Sequence, residues 1–274
     1  MLTYEQQLDL VQKKLATAKT VGNLTTFKYA RRVMYDYLWD AYPELLECRG
    51  HTYDNTNGKL VLAAPRKSFN YLENGTWADV PDDQPVIAFK KFNGFMATAS
   101  VYNGELVVGT TGTTDSDYAK MARKHIEAWM STSIVHPLEK DTLLFEIVDD
   151  SDPHIVDEPV GAHLLGFRNN SDGYFFPVSA RGTKAKECSF GQLKQMIRGV
   201  KHEGFMVYKL SPSDDVMTDQ VCKLKSPYYV GKKKLMRMNK DGVNAMYNRD
   251  FSRIPEDWHH IAEDIVVVNI GDIL

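Results

Sequence analysis

Lys90-Lys91-Phe92-Asn93-Gly94 closes a strand signal, Val86-Ile87-Ala88-Phe89, whose alternation puts Ile87, Phe89 and Lys91 on one face. An amine behind two apolar side chains loses solvation, which lowers its pKa toward the neutral, nucleophilic form. Gly94 removes a side chain where a nucleotide has to approach the backbone. Lys-x-(Asp/Asn)-Gly arises by chance about 0.1 times in a chain of this length, so alone it reads as a surface lysine before a turn. Three further stretches change that balance. Leu143-Leu144-Phe145-Glu146-Ile147-Val148 sets a carboxylate inside an apolar strand, where it is either at an edge facing water or in a pocket. Glu203-Gly204-Phe205-Met206-Val207 sets another beside a glycine at the entrance of an apolar strand. In Val221-Cys222-Lys223-Leu224-Lys225, two ammonium groups share one strand face, which is unfavourable unless a polyanion such as a triphosphate lies between them.

In order, Lys91-x-Asn93-Gly94, Phe145-Glu146, Glu203-Gly204-Phe205 and Lys223-x-Lys225 resemble the motif set of the covalent nucleotidyltransferases. That superfamily comprises ATP-dependent DNA and RNA ligases and GTP-dependent mRNA capping enzymes. Cys48-Arg49-Gly50 and Pro65-Arg66-Lys67-Ser68-Phe69-Asn70, with Gly166-Phe167-Arg168-Asn169-Asn170 and Tyr228-Tyr229, resemble one branch, the phage tRNA-repair ligases often called RNA ligase 1. The likeness covers residues 25–231. It implies ATP as the nucleotide, Mg²⁺ or Mn²⁺ as the metal, and RNA with 5′-phosphate and 3′-hydroxyl ends as the partner. It implies Lys91 as the nucleophile that carries AMP, and Glu203 as a metal ligand acting through water. The implied ATP pocket holds Tyr35 (or Tyr37), Arg49, Lys67, Phe69, Asn93, Gly94, Glu146 on the ribose, Phe167 stacked on adenine, Gly204, Lys223 and Lys225. Where the family carries a further lysine downstream of the nucleophile, this chain has Thr111, a hydroxyl in place of a charge. The implied activity is ATP-dependent RNA ligation through lysyl-AMP and RNA-adenylate, in RNA repair. The alternatives are a non-catalytic nucleotide- or RNA-binding protein on the same scaffold, or a related nucleotidyltransferase of the DNA-ligase or mRNA-capping type.

These residues must be positioned by a mixed set of elements. Thr3 and Gln6 form a capping box for a helix over 3–19, with Leu8, Val11 and Leu15 on one stripe, and an aromatic-rich helix is expected over 27–40. Strands and turns dominate from 51 to 112, with a hairpin at Tyr102-Asn103-Gly104-Glu105. A helix over 115–130, capped by Thr114 or Asp115, precedes strands at Leu143–Val148, Ala162–Arg168 and Tyr174–Val178. Ser189 and Gln192 cap a helix that stops near Gly199, and strands follow at Gly204–Leu210 and Val221–Lys225. The pattern predicts a mixed α+β domain, and the resemblance implies that it is a nucleotidyltransferase core, with antiparallel sheets and flanking helices, over 1–231. Residues 232–274 form a short C-terminal appendage of weak helical character, and 49 residues after Lys225 are too few for a usual OB-fold. The span 221–240 has seven basic residues and no acidic one. Ordinarily that is a solvated face; beside these motifs Tyr229, Lys232, Lys233, Lys234 and Arg237 become candidate RNA-backbone contacts.

Composition sets outer bounds. Thirty-three basic and 36 acidic residues give a net charge of −3, so nucleic-acid binding has to come from a local basic surface. No apolar run reaches the roughly 18 residues of a membrane span, and the first residues lack a signal pattern. Cys48, Cys188 and Cys222 are odd in number and far apart, which suits reduced thiols and a cytoplasmic protein. His259-His260 and the acidic run Asp149–Glu158 read as surface, and nothing points to an obligate protein partner.

Overall fold

The computed structural model describes residues 1–152 and 154–271. The chain opens with α1 (Tyr4–Gln12), started by the Thr3–Gln6 capping box. The helix does not continue to residue 19. Lys14 turns the backbone at φ 57°, and β1 (Ala16–Val21) pairs with β2 (Leu24–Tyr29) across Gly22-Asn23. Thr17, Thr20, Val21, Thr25 and Thr26 are β-branched and flank a two-residue turn, so strand pairing overrides the helical pattern. Of the expected 27–40 helix only α2 (Arg31–Tyr35) forms. β3 (Arg49–Asp54) and β4 (Leu60–Leu62) complete an antiparallel sheet in the order β1-β2-β3-β4.

β5 (Pro85–Lys91) carries the Val86–Phe89 signal through to the lysine pair, and β6 (Phe95–Tyr102) and β7 (Glu105–Thr110) make the hairpin at Asn103-Gly104. In α3 (Asp117–Met130) the cap is Ser116, one to two residues beyond the expected positions; its hydroxyl accepts the Ala119 N–H at 3.1 Å. β8 (Asp141–Val148), β9 (Gly161–Asn169), β10 (Phe175–Pro177) and β11 (Lys186–Ser189) follow. α4 (Phe190–Met196) begins at the Ser189–Gln192 capping box. β12 (Gly204–Leu210) and β13 (Val216–Lys225) are the last strands among the described residues. After them come α5 (Pro227–Met236), α6 (Lys240–Tyr247) and α7 (His259–Gly271).

Two more antiparallel sheets result, β10-β9-β8-β6-β7 and β11-β5-β12-β13. Each is covered on one face by a helix. Phe190 and Leu193 of α4 pack on Val86, Ala88, Val207, Cys222 and Leu224, while Ala122 and Ile126 of α3 pack on Ala97, Leu143, Phe145 and Ile147. Alternation leaves the opposite faces for a different task. Lys91, Met206 and Lys223 from one sheet and Met96, Leu144 and Glu146 from the other line a single cleft, closed by Arg49 and Ser68. The α+β architecture is the expected one. One residue, Ser226, separates β13 from α5, which runs across the 231/232 boundary, and Leu235 shares a small core with Met246, Ile261 and Ile265. No described helix is long and apolar enough to cross a membrane.

Candidate active site

Strand register builds the centre of the cleft. Gly204 of β12 stands opposite Lys91 of β5 on one side and Lys225 of β13 on the other. With no side chain between them, both lysines reach the carboxylate of the preceding residue. Lys91 Nζ donates to Glu203 Oε2 at 3.0 Å, and Lys225 Nζ lies 3.2 Å from Glu203 Oε1. Gly204 holds φ at 142°, and a Cβ there would sit 2.1 Å from the Leu224 carbonyl oxygen. Only glycine meets both demands. Ser226 anchors this corner from behind: its N–H donates to the Glu203 carbonyl at 3.0 Å and its hydroxyl to the His202 carbonyl at 2.7 Å. The same hydroxyl caps α5 by accepting the Tyr229 N–H at 3.1 Å.

Glu146 reaches Lys91 from the facing sheet. Its Oε1 lies 3.9 Å from Lys91 Nζ and accepts the Gly94 N–H at 3.2 Å. The reason for glycine at 94 differs from the expected one. A Cβ there would lie 2.1 Å from the Ile147 carbonyl oxygen, so the residue is small to let the turn meet β8. Asn93 faces away from the cleft, and its Oδ1 accepts the backbone N–H groups of Ile155 and Val156 at 2.8 and 3.2 Å. The expected protonation of Lys91 also needs correction. Burial pushes its amine down, but the charges of Glu146 and Glu203 and the Glu203 hydrogen bond together hold it above its ordinary value. Without nucleotide the nucleophile candidate is an ammonium. Burial raises the Glu146 carboxyl, with Lys91 opposing it.

Around this centre the positive charge is uncompensated. Lys223 Nζ donates to the Ser68 carbonyl at 2.8 Å and has no carboxylate partner among the described residues. Burial, with Lys67, Arg49, Lys91 and Lys225 nearby, drives its amine down to about 7. The segment that meets it is held by backbone: Lys223 N–H donates to the Phe69 carbonyl and Tyr71 N–H to the Lys223 carbonyl, both at 2.9 Å. Lys67 lies behind, its Nζ 4.4 Å from the centre of the Phe69 ring, and Phe69 packs edge-on against Trp39 at 5.4 Å. Arg49 lines the cleft, with Nη1 3.6 Å from Met96 Sδ, and Thr111 lines it too.

The cleft encloses about 780 Å³, and its apolar end is formed by Phe89, Leu165, Phe175, Met206 and Tyr208. Phe167 is not there. Leu165 bulges between the pairs Leu144–Gly166 and Phe145–Leu164, and Phe167 pairs opposite Leu143 on the α3 side, stacked on Phe176 at 5.1 Å. From this edge of the sheet the ring that enters is Phe175, which pairs opposite Arg168 and joins Phe89 and Tyr208. Arg168 is buried and ties the cleft wall to the first sheet through Glu47 Oε2 at 2.9 Å and the Ala64 carbonyl. Tyr35 and Tyr37 are 74% and 76% exposed and line no part of the cleft. Tyr229, Lys233, Lys234 and Arg237 meet Lys225 in a separate groove, which Lys232 does not line. Arg168, Phe175 and Ser226 escaped sequence reasoning as site residues; Phe175 is brought in by its register opposite Arg168, and Ser226 by its cap on α5, and neither leaves a signal in spacing along one strand.

Among the described residues no three or more His, Cys, Asp or Glu side chains gather in a metal cluster. Glu203 and Glu146 supply two carboxylates. That suits Mg²⁺, which keeps several waters and takes one or two carboxylates plus phosphate oxygens.

No family model matches the chain, and no curated protein does. Solved structures do. An archaeal ATP-dependent RNA ligase superposes in its form 2 with a TM-score of 0.55 at 15% identity, covering 95% of this chain and 69% of its own. Its form 1 gives 0.52 at 14% identity, over 94% and 69%. A candidate ATP-dependent DNA ligase from Aquifex aeolicus gives 0.52 at 12% identity, over 98% and 78%. With that likeness running along nearly the whole chain, the α+β arrangement of three sheets around one cleft is the nucleotidyltransferase fold that ATP-dependent RNA and DNA ligases share.

Proposed function

We propose that the protein is an ATP-dependent RNA ligase that joins RNA 5′-phosphate and 3′-hydroxyl ends, in RNA repair in the cytoplasm. One observation carries this reading. Lys91, its side chain 17% exposed, sits between Glu203 and Glu146, and Arg49, Lys67, Lys223 and Lys225 bring further positive charge that the two carboxylates do not balance. A triphosphate balances it. In the first step Lys91 Nζ bonds to the α-phosphorus of ATP while the bond to the β-phosphate oxygen breaks and pyrophosphate leaves. The ammonium must first give up its proton into the carboxylate pair. The RNA 5′-phosphate oxygen then bonds to that phosphorus and releases Lys91. Finally the 3′-hydroxyl oxygen attacks the 5′-phosphorus, AMP departs, and the hydroxyl proton is lost.

Phosphate oxygens gain charge in each displacement, and preorganised cations act most strongly there. Lys223 and Lys225 neutralise them, with Arg49 and Lys67 further out and Thr111 supplying a hydroxyl. Glu203 would hold Mg²⁺ or Mn²⁺ through water, and the ion would supply further neutralisation at the phosphates. Phe175, Leu165 and Met206 flank the adenine, the role that resemblance gives to Phe167. Incubation with α-labelled ATP and Mg²⁺ should label the protein, and chase with 5′-phosphorylated RNA should move the label to RNA. Label from GTP alone would favour the capping type. Efficient sealing of nicked DNA with little RNA joining would favour the DNA type. Absence of label from either nucleotide would leave a binding protein.

A further inference from the structure

A second cavity, about 490 Å³, lies on the far side of Lys225 from the nucleotide cleft. Its floor is Tyr229 and Val230, and its rim carries Lys225, Lys233, Lys234 and Arg237. Lys225, Tyr229, Lys233 and Arg237 follow at four-residue intervals from the end of β13 along α5, so they form one stripe. The buried Tyr229 ring is flanked by two ammonium groups, Lys225 Nζ at 5.2 Å and Lys233 Nζ at 5.7 Å from its centre. Burial lowers the Lys233 amine, and Lys225 and Arg237 push it further down. Glu203 is the carboxylate that faces this group, and it is already shared by Lys91 and Lys225. No described acidic side chain forms an ion pair with Lys233 or Arg237. Cations are therefore crowded at a concave surface, which is unfavourable unless an anion enters.

The shape of that anion follows from the stripe. From Tyr229 to Arg237 the helix advances about 12 Å at 1.5 Å per residue. A polynucleotide strand carries one phosphate per nucleotide, so a stripe of about 12 Å reaches more than one of them and exceeds one pyrophosphate. Its inner end is also placed for chemistry. Lys225 is one carboxylate away from Lys91, through the 3.2 and 3.0 Å contacts of Glu203.

We infer that the α5 groove binds the phosphate backbone of the polynucleotide at its 5′ end, and delivers the terminal phosphate to AMP on Lys91. The inference rests on the ligase reading for its reaction step, whereas strand binding stands apart from it. Lys233 and Arg237 are positioning residues for the second step and take no part in the first. The aromatic ring that lines the groove, Tyr229, is buried beneath the cations and offers no stacking face, so recognition runs through phosphate.

The test separates steps in the full chain. Lys233→Gln with Arg237→Gln should leave the single-turnover rate of lysyl-AMP formation within about twofold of wild type. Transfer of AMP to a 5′-phosphorylated 20-mer RNA should fall at least tenfold. Binding of that oligomer to a Lys91→Ala background should weaken, with its logarithmic salt slope reduced by ~1.4, or ~0.7 per lost phosphate contact. Lys233→Arg should restore transfer. Two results would overturn the inference. If oligomer affinity and salt slope stay unchanged while lysyl-AMP formation and inorganic pyrophosphate affinity fall, the groove serves the pyrophosphate of ATP. If none of these changes, the stripe is a solvated face. Should wild type form no lysyl-AMP at all, the ligase reading fails, and the oligomer-binding arm still decides whether the groove takes a strand.

Discussion

Among the cations of the cleft, Lys223 is the one whose charge depends on what else is bound. Its amine is driven to about 7 by burial and by its positive neighbours. A phosphate beside it favours the ammonium form, so ATP binding takes up a proton whenever the free protein has lost one. The sign follows: ATP affinity holds below about pH 7 and weakens above it, with a limit of ~10-fold per pH unit until the bound-state pKa is reached. Titrations of ATP binding from pH 6 to 9 should show that slope, and Lys223→Arg should flatten it, since guanidinium stays charged. Lys91 runs the other way, because its carboxylates hold it protonated and the adenylylation rate should rise with pH. Lys91→Ala should take no label from ATP yet still seal RNA that is already 5′-adenylylated. Loss of that bypass activity would show that the lysine serves the later displacement too.

At the scale of elements, β13 carries two tasks on its two faces. Leu224, 6% exposed, packs with Phe190, Leu193 and Val207, while Lys223 and Lys225 face the cleft and its margin. Leu224→Ala should therefore lower stability by roughly 2–5 kcal/mol, measured by urea unfolding. Lys223→Ala and Lys225→Ala should instead reduce self-adenylylation by about 10²–10³ with unfolding midpoints little changed. This alternation was legible in the sequence, as were β5, β8, β12 and both capping boxes, because each rests on spacing within a few residues. The failures are of other kinds. The 3–19 helix yields to a hairpin although Val11 and Leu15 fit a helical stripe, because β-branched runs on either side of Gly22-Asn23 pair as strands. Phe167 misses the cleft because a bulge at Leu165 resets the alternation of β9, and a bulge leaves no mark in periodicity. The Lys91–Glu203–Lys225 pairing was out of reach as well, since it depends on cross-strand register and not on any one strand.

For the molecule as a whole, acid stability turns on a residue outside the cleft. His51 in β3 is fully buried, and burial, reinforced by Arg168, lowers its ring to about 3. Below about pH 6.5 the unfolded chain binds a proton there that the folded protein refuses until about pH 3. Stability from this residue is thus complete above pH 6.5 and declines as pH falls, by ~2 kcal/mol at pH 5. His202, lowered to about 4, adds a smaller loss in the same direction. Urea unfolding at pH 7 and pH 5 should show the loss, and His51→Asn should reduce the difference between the two pH values whatever its effect on stability at pH 7. A protein equally stable at both would mean that this ring is not buried neutral.

The shared carboxylate of Glu203 has a consequence for chemical safety. An ammonium has no lone pair to offer, and an amine held above its ordinary pKa has a smaller neutral fraction than a free lysine, so cyanate, aldehydes and activated esters should react with Lys91 more slowly than with an exposed lysine. If Lys91 carries AMP as proposed, full reactivity would belong to the moment when the ion pair with Glu203 parts, and the pairing would slow irreversible modification between turnovers.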